Sequence, residues 1–145
     1  MSISRANVEA TLVSRTAKKM SLVGFPVTSA GSNTSLNDPI GTALLKMGKS
    51  VLNFSQVADT DLLGISMDEV PEFLDRAELR LLESILGNYD ITDISIGPRS
   101  ESFNQIEASL EKAIAAKQAQ INSTYGSLEA GSYITDQQAR MDDPE

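Results

Sequence analysis

The chain has 145 residues, 41% of them apolar, and a formal net charge of -8, which bounds it to one domain with a modest core. It contains no cysteine and no histidine, so disulfides, Cys/His metal sites, cysteine nucleophiles and Ser-His-Asp triads are excluded. The acidic balance also argues against generic nucleic-acid binding, because the phosphate backbone would repel the protein.

Residues 4–22, "SRANVEATLVSRTAKKMSL", predict a first helix with Ser4 as its N-cap. Ala6, Ala10, Val13, Ala17 and Met20 recur at three- and four-residue steps and define one face, which Val8 and Leu12 widen. Lys18 and Lys19 suit the last turn, and Gly24 and Pro26 end the element. Residues 24–38 are rich in Gly, Ser, Thr and Asn and predict a loop of about fifteen residues, either a binding element or a surface excursion. Asp38 then fits an N-cap and Pro39 the first helical position of a short helix, with Ile40, Ala43, Leu44 and Met47 on one face and Gly48 as its stop. Between residues 50 and 65 the stretch "DTDLLGI" adds at most a helical turn.

Residues 66–88 carry the strongest helical period. Asp68 is the expected N-cap, which places Pro71 in the first turn, where it costs no backbone bond. Val70, Leu74, Ala77, Leu81 and Ile85 form one stripe, while Leu79, Leu82 and Leu86 extend the apolar surface elsewhere. A helix apolar on more than one side is central in its bundle or shared with another subunit. Gly87-Asn88 is the expected stop, and Ile91, Ile94 and Ile96 predict a short extended segment near 89–97 before Gly97-Pro98. Ser102 to Gln105 fits a capping box for a last helix over 103–125, ended by Gly126, in which Phe103, Ile106, Leu110, Ala113 or Ile114, Lys117 and Ile121 mark a narrower stripe. Residues 127–145 show no period and read as an acidic tail holding the apolar pair Tyr133 and Ile134.

The palette of Leu, Ile, Val, Ala and Met, with no Trp, suits helix-on-helix packing. The expectation is an all-α bundle of about four helices over 1–126, with an extended C-terminal arm over 127–145. No apolar run approaches the roughly 18 residues of a membrane span. The N-terminus lacks a signal-peptide core, which predicts an intracellular protein. Arg5, Arg15, Lys18 and Lys19 make the start basic, and Glu129, Asp136, Asp142, Asp143 and Glu145 make the end acidic. The ends either dock copies head to tail or are solvated.

The stretches "LNDPIGTALLKMG", "EFLDRAELRLLESILGNYDITDISIGPRSESFNQ" and "LEKAIAAKQAQINSTYG" together resemble the small head–tail adaptor (connector) proteins of tailed bacteriophages. The resemblance lies in the order of elements over residues 4–126. It implies a structural virion protein without catalytic residues or cofactors. It also implies a ring of about twelve copies in the head–tail neck. Such a ring sits between the portal protein and the stopper or tail proteins, and double-stranded DNA passes through it without sequence recognition. No membrane contact is implied. The expected subunit or portal interface comprises Leu79, Leu82, Leu86, Ile94, Ile96, Tyr133 and Ile134.

Three other readings stand beside this one. One is a host regulator built on a helical bundle, such as a DNA-binding protein, against which the acidic charge and the lack of a clear basic recognition helix argue. The first of the other two is another virion protein, a stopper, a tail terminator or a minor capsid protein. The second is an all-α, Mg²⁺-dependent nucleotide pyrophosphohydrolase, for which Glu69, Glu72 and Asp75, and the pair Glu107 and Glu111, have the acidic spacing of a hard-metal site. Acids at these spacings also line ordinary solvated helix faces. Tyr125 reads as packing, and Arg76 and Arg80 as partners of Glu72, Glu83 or a neighbouring subunit rather than of DNA.

Overall fold

The computed structural model describes residues 3–93 and 100–126. They form four helices, α1 (Arg5–Leu22), α2 (Asn37–Lys46), α3 (Val70–Asp93) and α4 (Ser100–Tyr125). Short 3-10 turns at Thr34–Leu36, Asp59–Leu62 and Met67–Glu69 lead between them, the middle one at the turn expected from "DTDLLGI". The described residues contain no strand, and the fold is a small all-α bundle.

α3 is the central rod, with α1, α2 and α4 all packed on it. This explains its apolar surface on more than one side within a single copy. One continuous core joins Leu74, Ala77, Leu81 and Ile85 of α3 to Val8, Leu12 and Met20 of α1 and to Ile40, Ala43 and Leu44 of α2. Phe73, fully buried, is the largest member. Arg80 ties α2 to α3 through Asp38 at 2.7 Å. Lys49 ties the connection to the α3 entrance through Glu69 at 3.0 Å.

α1 starts where its cap predicts. Ser4 Oγ accepts the Asn7 backbone N–H at 3.2 Å, and Gly24 ends the helix at φ 77. The buried face, however, is rotated from the expected one. Arg5, Val8, Glu9, Leu12, Thr16 and Met20 face inward, while Ala10 is exposed and Ala6, Val13 and Ala17 are half-buried. The rotation follows from an ion pair inside the bundle: Arg5 Nε donates to Glu9 Oε2 at 2.7 Å, with the residues 3% and 0% exposed.

This pair moors two loops. Arg5 also donates to Asn37 Oδ1, the Val57 carbonyl and the Asn33 carbonyl, each at 2.7 Å. Glu9 accepts the backbone N–H groups of Gly31 at 2.8 Å and Asn33 at 2.9 Å. Asn33 donates onward to the carbonyls of Pro26 and Thr28, and Asn37 to that of Ser55. Residues 24–33 and 53–59 thus follow fixed paths across one polar centre. The basic character expected of the first 23 residues shrinks accordingly. Arg5 is neutralised inside the protein and Arg15 pairs with α3, so Lys18 and Lys19 remain as its surface cations.

The other helix ends differ from their expected positions for local reasons. Asn33, not Asp38, caps the turn that runs into α2, its Oδ1 accepting the Ser35 N–H at 3.0 Å. Asp38 is engaged by Arg80 instead. Asp68 lies inside the 3-10 turn before α3, where Glu69 Oε1 reaches back to the Ser66 N–H at 3.0 Å. Gly87-Asn88 does not stop α3, and residues 89–93 are helical rather than extended. Tyr89 explains the continuation: it is buried in the core, which outweighs the weak helix propensity of the preceding pair. The rest of the expected extended segment, with Gly97-Pro98, and the arm 127–145 lie outside the described residues. Ser102 to Gln105, expected as a capping box, already belongs to α4. Gly126 ends α4 at φ 86.

Two helical glycines predict opposite responses to alanine. A Cβ on Gly87 meets no described atom within 4 Å, so Gly87→Ala should stabilise the protein by about 0.5–1 kcal/mol through helix propensity. A Cβ on Gly41 would stand 2.7 Å from Phe54 Cδ1, because this gap in α2 seats the phenyl ring. Gly41→Ala should therefore lose stability in the wild-type background but gain it once Phe54→Ala has removed the ring. Urea melts of the four proteins measure the cycle. Additivity within about 0.3 kcal/mol would show that the ring is not seated there.

Candidate functional site

The side of α3 that meets α4 carries a second polar cluster and part of the expected interface. Asp75 accepts from the Tyr125 hydroxyl at 2.8 Å, Gln120 Nε2 at 3.2 Å, Arg15 at 3.2 Å and Lys117 Nζ at 3.4 Å. One turn on, Glu78 pairs with Arg15 at 2.9 Å and Lys117 at 3.1 Å. Arg76 pairs with Glu72 at 2.8 Å and donates to the Gly126 carbonyl at 3.3 Å. Side chains from α1 and α4 therefore converge on one α3 carboxylate, whose side chain is 11% exposed.

Burial alone would push the Asp75 carboxyl up. The Tyr125 hydrogen bond, the charge and hydrogen bond of Lys117, and Gln120 outweigh it and hold the group below its ordinary value. Tyr125 moves the other way, raised first by burial and then by the carboxylate it donates to. Tyr125 therefore packs and bonds structurally, as expected of it. Arg76 pairs with Glu72 as expected, while Arg80 favours Asp38 and keeps Glu83 at 3.8 Å.

The acids with metal-site spacing do not converge. Glu69 binds Ser66 and Lys49, Glu72 binds Arg76, and Asp75 binds the α4 cluster. Among the described residues no group of three or more His, Cys, Asp or Glu side chains is placed to hold a metal ion. No described helix is long and apolar enough to cross a membrane.

The expected interface residues have separate fates. Leu79 and Leu82 are only 8% and 3% exposed in the single copy, so in this closed arrangement they are not an open docking surface. α4 is the element the sequence reading left out of account there: Leu82 lines a cleft together with Ala113, Ala116 and Lys117. Leu86 is half-buried against the core. Ile94, Ile96, Tyr133 and Ile134 lie outside the described residues. Among the described residues the exposed large apolar side chains are Leu22 at the end of α1, Val27 in the loop after it and five more further along the chain. Leu45, Leu52, Phe54, Leu63 and Met67 all lie on α2 or the connection from α2 to α3, with Leu52 90% exposed. Their scattered spacing outside a regular helix gave no periodic signal.

A second cleft, of about 480 Å³, opens beside the Arg5 centre between Ser4, Ala30, Ser32, Ser55 and Asp59. Its rim is hydroxyl-rich. Asp59 Oδ1 is already engaged by the Arg5 backbone N–H at 2.6 Å. The arrangement offers small polar contacts but no nucleophile–base pair.

In comparisons with known proteins, no family model matches the chain, and neither a curated protein nor a solved structure does.

Proposed function

We propose that this protein is a structural subunit of a phage head–tail neck, an adaptor that forms a ring between the portal and the stopper or tail and continues the DNA channel. The observation that carries the reading is the set of exposed apolar side chains Leu45, Leu52, Phe54, Leu63 and Met67 on α2 and the connection from α2 to α3. Large apolar side chains left in water within one stretch of chain provide area that contact with another protein would bury. A subunit of a closed ring needs such a surface on its flank. Of the leucine-rich helix, short extended strip and long last helix on which the resemblance rests, α3 and α4 supply the two helices, while residues 89–93 of the strip are helical.

The net charge of -8 fits a channel wall along which DNA slides instead of sticking. On this reading the ring contact moves from Leu79 and Leu82 to the connection between α2 and α3.

Cryo-EM of purified particles, with mass spectrometry of neck fragments, tests the assignment. The expected result is a ring of this chain directly beneath the portal. Finding it in the layer below would make it a stopper or terminator. Its absence from assembled particles would overturn the neck assignment altogether, and so would metal-dependent hydrolysis of a nucleotide by the full-length protein.

A further inference from the structure

We propose that α4 opens as a unit from a body made of α1, α2 and α3, and that opening uncovers Leu79 and Leu82. The body has a core without α4. Among the described side chains, the shared cluster draws many residues from the first three helices and their connections, and from α4, between Gln105 and Gly126, Leu110 with Ile106 against it. Between Gln105 and Gly126, Leu110 and Ile121 are the buried positions, and most of the remainder face water.

α4 packs chiefly on α3. A cleft of about 310 Å³ separates it from α1, between Arg15 and Lys19 on one side and Ala113 and Ala116 on the other. Contact there is incomplete, and incompletely packed elements are the ones that open below the global unfolding free energy.

Besides Leu110 and Ile121, closure draws on directional bonds. Lys117, Gln120 and Tyr125 all bind Asp75, Lys117 also pairs with Glu78, and the Gly126 carbonyl binds the adjoining Arg76. Three of these five ties share one acceptor, so Asp75 is the group whose loss loosens the C-terminal half of α4 most. Beneath that half, Leu82 lies in the cleft, and Leu79 sits one turn past Asp75 on the same side of α3. Their exposure is therefore conditional on α4, unlike that of Leu52. The opening belongs to a single copy and does not depend on the ring reading.

The absence of cysteine makes a direct measurement possible. Leu82→Cys places a thiol under α4, and Ala77→Cys places one in the α1–α3 core. Each is made with and without Asp75→Asn and labelled with a water-soluble thiol reagent under native conditions. The Leu82→Cys thiol should react at least about 10-fold faster than the Ala77→Cys thiol, and Asp75→Asn should speed it a further 10-fold or so while moving the Ala77→Cys rate less than about 3-fold. Equal rates with an equal response to Asp75→Asn would mean that α4 leaves only in global unfolding, and would overturn the proposal. Hydrogen exchange on the unsubstituted protein gives a second reading free of any destabilising change. Amides of residues 105–126 should lose protection at lower denaturant than those of α1 and α2, and a common loss would overturn the proposal too.

Discussion

Replacing Arg5 with alanine should lower the unfolding free energy by about 3–5 kcal/mol, one of the largest single losses the protein can show. The change removes the only cation facing Glu9, which is 0% exposed and has no water to turn to. It also leaves the Val57 and Asn33 carbonyls and Asn37 Oδ1 without the guanidinium. A melting temperature lower by about 10 °C or more is expected for a chain of this size. Arg5→Lys recovers little, because an ammonium cannot reproduce the planar fork that serves four acceptors. Glu9→Ala should cost a similar amount, and Arg5→Ala/Glu9→Ala clearly less than the sum, since each single change strands the other charge. Urea melts with unchanged slopes would measure all four. An additive double variant, or a loss below about 1 kcal/mol for Arg5→Ala, would show that the pair is not buried as described.

Asp75→Ala is the second large effect, a loss of about 1–2 kcal/mol, because the half-buried Lys117 and Tyr125 of α4, with Gln120 and Arg15 at the rim, lose a shared acceptor. Arg15→Ala should cost less than about 1 kcal/mol, since its side chain is one-third exposed and screened. The Asp75 contribution is pH-dependent. Its folded carboxyl lies below the ordinary value, so its share of stability is complete above the unfolded pKa and is lost as pH falls through the folded one. Arg15 from α1, Lys117 and Tyr125 from α4, and Glu72 and Glu78 from α3 set the charge around it. The gap between wild type and Asp75→Asn should thus hold near neutrality and narrow below about pH 4. Tyr125 adds an alkaline limit. Its folded value is raised, so its contribution is present below about pH 10 and is lost as pH climbs through the folded value. A gap that stayed constant down to pH 2 would mean that Asp75 is not the acceptor at this junction.

The elements that sequence alone located are those whose signals are local. Ser4 caps α1, and Gly24, Gly48 and Gly126 all take positive φ at helix ends, where a side chain would be strained. The face of α1 was not legible, because a period read from apolar residues passes over an Arg and a Glu four apart that neutralise each other indoors. The end of α3 was hidden for a related reason. Gly87-Asn88 is a fair stop by propensity, and only the burial of Tyr89 overrides it. The stripe on the last helix was legible, and its Leu110 and Ile121 are buried, but nothing local matched that stripe to the apolar surplus of Leu79 and Leu82 on the rod. The Asp75 cluster joins residues 42 to 60 positions apart, beyond any local pattern.

The mooring of both loops on Arg5 has a consequence for how the sequence can drift. A substitution at position 5 or 9 alone passes through an intermediate with an orphaned charge, so the two positions are constrained to change together. Asn33 and Asn37 inherit the same restriction through the bonds they share with the pair. The hydroxyl-rich residues strung between these anchors, such as Ser29 and Ser32, carry no such tie and can vary one at a time.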